Sequence, residues 1–118
     1  MDRGDISILD IVCAREFLGH FMGSELDLAQ VKTAAAGFHE AFPDLKHTIL
    51  DLVAEGDRVA LRAMDRATHR GVYKGIQPTG RVVEFETSAT YRIVDGKIVE
   101  VWQQMDVQAL LRQIRGEV

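Results

Sequence analysis

The dipeptide Asp95-Gly96 constrains the fold of this chain more than any other feature, because it stands between two long strand-like runs. Asp-Gly is strongly preferred in two-residue hairpin turns, whose central positions need positive φ angles. The runs Arg81–Val94 and Lys97–Met105 are therefore predicted to be the two arms of an antiparallel hairpin. A two-residue turn sets their register. It pairs Ile93 with Ile98, Tyr91 with Glu100, Ala89 with Trp102, Thr87 with Gln104 and Phe85 with Asp106.

This register assigns the paired side chains to one face of the sheet, since strand side chains alternate. The face is mostly apolar but also carries Glu100, Gln104 and Asp106. An apolar lining with a few convergent polar groups is typical of a small-molecule site. We therefore expect this face to meet the helices and to line a pocket. The opposite, mixed face is expected to be solvated or to pair with a second subunit; it includes Ser88, Thr90, Arg92, Val99, Val101, Gln103 and Met105.

Two further strand-like runs precede the hairpin, at Thr48–Ala54 and Arg58 to about His69. Turn residues separate them, and the glycine- and proline-rich segment Gly71–Gly80 is predicted to be a loop. In the second run, one of the two alternating sets of side chains is the better candidate for the inner face. It would bring His69 toward the same pocket. That set contains Val59, Leu61, Ala63, Asp65, Ala67 and His69.

The first half of the chain shows helical spacing. A short first helix is predicted from Ile8, Leu9, Val12 and Cys13. Ser24 and Asp27 have the form of a capping box that opens a second helix, which Pro43 ends. A terminal helix is predicted from Val107, Leu110, Leu111 and Ile114. Helices followed by an antiparallel meander are the pattern of an α+β fold. The apolar stripe of the second helix consists of Leu28, Val31, Ala35, Phe38 and Phe42.

Composition excludes several classes of function. The 118 residues fit a single domain, 1–118, and the net charge of −4 with no basic patch argues against a nucleic-acid partner. The single cysteine, Cys13, cannot form an intramolecular disulfide. No apolar run is long enough for a secretion signal or a membrane span, so a cytoplasmic location is expected.

Several short motifs occur together in a characteristic order and spacing over roughly residues 10–115. By these motifs the chain resembles the SnoaL-like, polyketide cyclase type branch of the NTF2-like superfamily. They are Phe42-Pro43-Asp44, Glu55-Gly56-Asp57, Thr68-His69-Arg70-Gly71, Gly75-Ile76-Gln77-Pro78-Thr79-Gly80, and Asp95-Gly96-Lys97-Ile98-Val99-Glu100-Val101-Trp102 followed by Asp106.

The resemblance implies an α+β cone in which N-terminal helices pack on a curved, mainly antiparallel sheet. It implies a homodimer through the outer sheet face, and aldol-type ring closure without metal or cofactor. Asp106 matches the family's acid/base aspartate and His69 its histidine. The chain departs from the family in a shortened N-terminal helix and in Val101, which replaces the usual histidine before Trp102. Other members of the superfamily are isomerases, dehydratases, hydrolases or binding proteins.

Each candidate residue also has a purely structural interpretation. Asp106 favours the N-cap of the terminal helix, which is compatible with catalysis. His69 could lie in solvent, Gln104 could bond only the backbone, and Tyr91 with Glu100 could be no more than a cross-strand pair. Trp102 is expected in the core or in the pocket wall, Cys13 in the core. The spacing of His20, His39 and His47 does not indicate a metal site.

The leading hypothesis is a cofactor-independent cyclase, isomerase or hydrolase that acts on a hydrophobic, oxygenated small molecule. Asp106 and His69 are its predicted catalytic residues. The alternatives are a non-catalytic small-molecule-binding protein and a dimerising scaffold with a filled core. The predicted ligand contacts are Trp102, Gln104, Tyr91, Phe85 and Leu61.

Overall fold

A computed structural model describes residues 12–117 as one six-stranded sheet with two helices. The strand order β2-β1-β6-β5-β4-β3 and the helices confirm the α+β class. Within residues 12–117 no helix is long and apolar enough to cross a membrane. The elements in chain order are β1 Cys13–Phe21, β2 Ser24–Asp27, α1 Leu28–Ala41, β3 Lys46–Glu55, β4 Arg58–Thr68, β5 Val82–Val94, β6 Lys97–Met105 and α2 Val107–Ile114.

The second half of the chain follows the sequence prediction closely. Strands β3 to β6 form an antiparallel meander, and β6 has the predicted bounds. The turn residues Asp95 and Gly96 both have positive φ angles, 52° and 76°, as their type of hairpin requires. The segment 71–80 contains no strand and only one isolated bridge, between Tyr73 and Ile76.

The N-terminal half differs from the prediction. Ile8 and Leu9 lie outside the described residues, Val12 is helical as predicted, and Cys13 already begins strand β1. Strand β1 pairs in parallel with β6, a partner some eighty positions further along the chain. Pairing with so distant a strand leaves no trace in local periodicity, so the sequence did not show that a strand begins at Cys13.

The predicted capping box is also displaced by three residues. Ser24 belongs to β2 and pairs with Phe21 across a tight turn at Met22 and Gly23, both with positive φ. The box is instead formed by Asp27 and Gln30, whose side chains each accept the other's backbone N–H at 2.8 Å. Both spacings satisfy the local rule. The β1–β2 hairpin decides between them, because it extends the chain through Ser24.

The predicted register of the β5–β6 hairpin holds only for Ile93–Ile98 and for Val94–Lys97, the pair next to the turn. Ile93 pairs with Ile98, but Arg92 then pairs with Glu100, which leaves Val99 as an extra residue in a β-bulge. Strand β1 changes register against β6 at the same level. Beyond the bulge every side chain of β6 faces opposite to the prediction. Val101 lies inside, 3% exposed, and the predicted inner-face positions of Glu100, Trp102 and Gln104 are wrong.

We call the face of the sheet that packs on the two helices the inner face. It carries two groups of buried apolar residues. The α2 cluster contains Ala41, Phe42, Leu45, Ala67, Val83, Phe85, Leu110 and Ile114, with Phe38, Tyr73 and Met105 packed against it. The β1 cluster contains Cys13, Phe17, Ala89 and Val101, with Leu28, Val31, Leu61 and Tyr91 packed against it.

The end of β4 is fastened to the loop after α1. The Asp44 carboxylate accepts the backbone N–H of Thr68 at 2.7 Å and its hydroxyl at 2.6 Å. Partial burial alone would raise the pKa of Asp44, but these hydrogen bonds outweigh it and hold the pKa below its ordinary value. Just beyond, Arg70 and Gly71 both donate their N–H groups to the carbonyl of Ala41, at 2.8 and 3.1 Å. The start of the loop after β4 is therefore tied to the C-terminal end of α1.

Candidate active site

Asp65 is the acidic residue buried on the inner face. It is 3% exposed and belongs to the inward-facing set of β4 together with Ala63 and Ala67. A buried carboxylate is costly unless its oxygens accept hydrogen bonds, because it gives up its hydration. The neighbouring strands provide both donors.

The hydroxyl of Thr87, on β5, donates to Asp65 Oδ2 at 2.8 Å. On the other side, His47 of β3 stands opposite Asp65 in the ladder, with Nδ1 2.5 Å from Oδ1. A carboxylate only accepts hydrogen bonds, so the imidazole nitrogen is the donor. The His47 side chain is 38% exposed, whereas that of Asp65 is 4% exposed. His47, Asp65 and Thr87 thus form a hydrogen-bonded triad, which connects the interior to the edge of the sheet.

The triad lies between the two apolar clusters. Along β4, Leu61 contacts the β1 cluster and Ala67 belongs to the α2 cluster, with Asp65 between them. Along β5, Thr87 stands between Phe85 of the α2 cluster and Ala89 of the β1 cluster. A polar group with apolar walls on both sides has the arrangement of a small-molecule site.

The alternation of β4 predicts that Asp65 faces inward, but Asp65 was not among the predicted functional residues. The signal was present, since Asp65 is the one acidic residue among the otherwise apolar inward-facing residues from Val59 to Ala67. His47 could not be found in the same way. It is an inner-face partner only because β3 pairs with β4 in this register.

His69 lies on the inner side, fully buried, at the α2 end of the sheet. Its Nδ1 accepts the backbone N–H of Thr79 at 3.2 Å, and its ring packs on Phe42 with centroids 5.5 Å apart. Because Nδ1 is an acceptor, the neutral ring carries its proton on Nε2. Nε2 is buried and has no hydrogen-bond partner in the described part of the chain. The solvent-exposed alternative for His69 is therefore wrong.

Asp106 lies beyond the end of β6 and caps α2. Its side chain accepts the N–H of Ala109 at 3.0 Å, so the predicted capping interaction is present. The residue is exposed and borders an open depression of about 230 Å³ with Gln104, Ser88 and Glu86. Ser88 and Gln104 pair on the outer face. Asp106 and Gln104 are thus near each other, on the opposite face from Asp65.

Trp102 belongs to a polar group on the outer face. Its ring stacks on His20 with centroids 5.3 Å apart, and the guanidinium of Arg58 lies 5.0 Å from its centroid. His20 Nε2 is 2.6 Å from Glu100, and this hydrogen bond is the main reason that the pKa of Glu100 is lowered. Placing Trp102 in the inner pocket was therefore an error caused by the bulge.

Three of the predicted ligand contacts do face the inner side. Phe85 is 2% exposed and belongs to the α2 cluster. Leu61 and Tyr91 both pack against the β1 cluster. Their role in ligand binding stays a prediction. In residues 12–117 no group of three His, Cys, Asp or Glu side chains is arranged to hold a metal ion.

Comparison with known proteins gives a consistent family. Residues 1–114 match the model of the SnoaL-like polyketide cyclases. A search of curated proteins found no significant match. The described fold closely resembles solved structures of several bacterial proteins.

AclR of Streptomyces galilaeus, described as a candidate hydroxylase, is 33% identical with a TM-score of 0.91; the match covers 99% of this chain and 88% of AclR. IdmH of Streptomyces antibioticus, described as a candidate polyketide cyclase, is 30% identical with a TM-score of 0.86, over 97% and 89% of the two chains. A SnoaL-like protein of Jannaschia shares the fold at 21% identity, with a TM-score of 0.88 over 99% and 87%. The chain belongs to the SnoaL-like polyketide cyclase family.

Proposed function

We propose that this chain is an enzyme that binds a hydrophobic, oxygenated small molecule against the inner face and moves a proton at a carbon next to a carbonyl. Intramolecular aldol ring closure is the reaction that this chemistry serves. The observation that carries the proposal is the buried Asp65 carboxylate, held by His47 and Thr87 between two apolar clusters. The 30% identity to IdmH supports cyclisation. AclR has the same fold but is described as a candidate hydroxylase. The fold therefore does not determine the reaction, and the proposal rests on the residues of the site.

In the proposed reaction, Asp65 takes a proton from the carbon next to a carbonyl, and the C–H electrons move onto the carbonyl oxygen to give an enolate. The enolate carbon then bonds to a second carbonyl carbon of the same molecule. Asp65 returns its proton to the alkoxide formed there, so that no atom is gained or lost. Such a general acid/base group typically contributes ~10²–10⁴ in rate.

His47 and Thr87 serve as positioning residues for Asp65. Each donates to a different oxygen of the carboxylate, which fixes its orientation. Each oxygen keeps a second lone pair, because a carboxylate oxygen can accept two hydrogen bonds. The apolar walls, including Leu61 and Phe85, exclude water and so strengthen electrostatic interactions inside the site. Trp102 and Gln104 lie on the other face and have no part in this site.

A non-catalytic binding protein is the second candidate. The observation that favours it is that Asp65 is almost fully buried and both its oxygens already accept hydrogen bonds, which suits a structural polar group. Both candidates predict a ligand on the inner face. They differ in whether removal of the carboxylate abolishes a reaction.

We expect polycyclic aromatic ketones to raise the melting temperature in a thermal-shift screen. A ligand that binds only the native state at 100 times its Kd stabilises it by about 2.7 kcal/mol, which is several degrees. Leu61→Ala on the inner face should weaken binding, while Gln104→Ala on the outer face should not. If both variants bind as the wild type does, the ligand does not occupy the inner face.

We also propose that the protein forms a homodimer through the outer face. The sequence predicted a dimer because Val101 and Met105 were assigned to the outer face. That assignment is wrong, since Val101 lies inside and Met105 packs against the α2 cluster. The support is now Trp102, which is only partly buried on a face that the two described helices do not cover. Light scattering at micromolar concentration should give twice the 13.2 kDa chain mass. Trp102→Ala should shift this toward the monomer, and a wild-type monomer would contradict the proposal.

A further inference from the structure

The hydroxyl of Tyr91 is a polar group on the inner face for which residues 12–117 provide no hydrogen-bond partner. Tyr91 shares the inward-facing alternation of β5 with Thr87 and Ala89, and its ring packs against the β1 cluster. Its oxygen makes no hydrogen bond to any residue between 12 and 117. Unlike His69 Nε2, this oxygen is not fully buried. The oxygen therefore keeps some exposed surface among the described residues.

Tyr91 is suited to donate a hydrogen bond and not to act as a base. Burial is the main reason that the pKa of its phenol is raised, and electrostatic contributions from Cys13 and Asp65 raise it further. The phenol thus stays protonated at neutral pH. The contribution of Asp65 also means that the two groups influence each other across the inner face.

The spacing of the two groups fits a multi-ring ligand. Thr87, which holds Asp65, is four residues before Tyr91 on the same face of β5. Four residues of strand span about 13 Å between Cα atoms. A ligand that lies along β5 could therefore present an acidic C–H to Asp65 and its conjugated oxygen to Tyr91.

We propose that the Tyr91 hydroxyl is a further catalytic residue, which donates a hydrogen bond to the ligand oxygen that becomes negative when Asp65 removes the proton. This inference rests on the proposed function, because it places the ligand on the inner face beside Asp65. Tyr91 stabilises charge in this step and transfers no proton of its own. Donors positioned before the reaction stabilise a developing oxyanion without further reorganisation.

The test compares 2-naphthol, whose ionised form mimics an enolate, with naphthalene, which has the same rings and no oxygen. Binding is measured by fluorescence in the Asp65→Asn background, where the negative charge that repels the naphtholate is gone. Tyr91→Phe should weaken 2-naphthol binding by several-fold, as expected for the loss of a hydrogen bond to its oxygen, and by more as the pH is raised and the probe ionises. Naphthalene binding should change by less than about 2-fold, because phenylalanine keeps the ring. The other tyrosine of the chain, Tyr73, is the control, and Tyr73→Phe should change neither affinity.

Equal weakening of both probes by Tyr91→Phe would mean that Tyr91 acts only through its ring, and unchanged affinities would mean that it does not contact the oxygen. Either result overturns the proposal for Tyr91 and leaves the inner-face site standing. If neither probe binds any form of the protein, the proposed site fails and the role of Tyr91 fails with it. A melting temperature for Tyr91→Phe close to that of its parent confirms that the variant is folded.

Discussion

Asp65→Asn is expected to leave the domain folded and to lower turnover by at least ~100-fold, the lower bound for losing a general acid/base. Asparagine is nearly isosteric with aspartate, so the packing around Ala63 and Ala67 is kept. The Thr87 hydroxyl can accept as well as donate, and the imidazole of His47 can change its tautomer, so both can still pair with an amide. The amide cannot take a proton from a carbon, and this is the function that the substitution removes.

Asp106→Asn is the matched control. The family resemblance predicts that it abolishes turnover, whereas the position of Asp106 on the outer side of the sheet predicts that turnover is retained. We expect retention, with an unchanged melting temperature, because asparagine caps a helix about as well as aspartate. Asp106→Ala should lose about 1 kcal/mol of stability by removing the bond to Ala109.

The measurement uses a substrate from the ligand screen and follows kcat/KM together with thermal unfolding for all variants. Unchanged turnover in Asp65→Asn with unchanged melting would exclude Asp65 as the acid/base. If Asp106→Asn then loses turnover, the aspartate indicated by the resemblance is the catalytic one. If both variants bind ligand and neither changes a reaction, the binding-protein interpretation replaces the enzyme.

Gly71→Ala is expected to be strongly destabilising even though it adds a single methyl group. A Cβ at this position would lie 2.4 Å from the carbonyl oxygen of Glu40 and 3.0 Å from Cα of Ala41. These are backbone atoms at the end of α1, and the N–H of Gly71 is bonded to the same segment. Overpacking of this kind costs about 1–3 kcal/mol, and separating the loop from α1 would also weaken these hydrogen bonds.

Gly37→Ala is the control, for which we expect the stability to change in the opposite direction. Gly37 lies inside α1, it is exposed, and a Cβ there would have no neighbour within 4 Å. Replacing a helical glycine by alanine should stabilise the protein by about 0.5–1 kcal/mol. Urea unfolding gives both values from the shift in midpoint. A Gly71→Ala variant as stable as the wild type would show that the loop and α1 separate at little cost.

The sequence by itself determined the meander, the terminal helix, the α+β class and the family. Their evidence is local: the Asp95-Gly96 turn, the alternation of β4 and β5, and the helical spacing from Leu28 to Phe42. Alternation alone assigned Asp65 and Tyr91 to the inner face, because successive side chains of a strand without a bulge always point to opposite faces. The inner-face positions of Asp65 and Tyr91 could thus be predicted from the sequence, whereas the contact of His47 with Asp65 could not.

Only the tertiary structure decided which face of β6 lies inside. The bulge at Val99 inserts one residue, and one residue is enough to reverse every later side chain, so that Val101 faces in and Trp102 faces out. Both phases of β6 mix polar and apolar residues, and hence its local pattern does not reveal the slip. His47 reaches Asp65, and β1 lies beside β6, through contacts between distant segments. Such pairings depend on the free energy of the assembled sheet, which no short stretch of sequence contains.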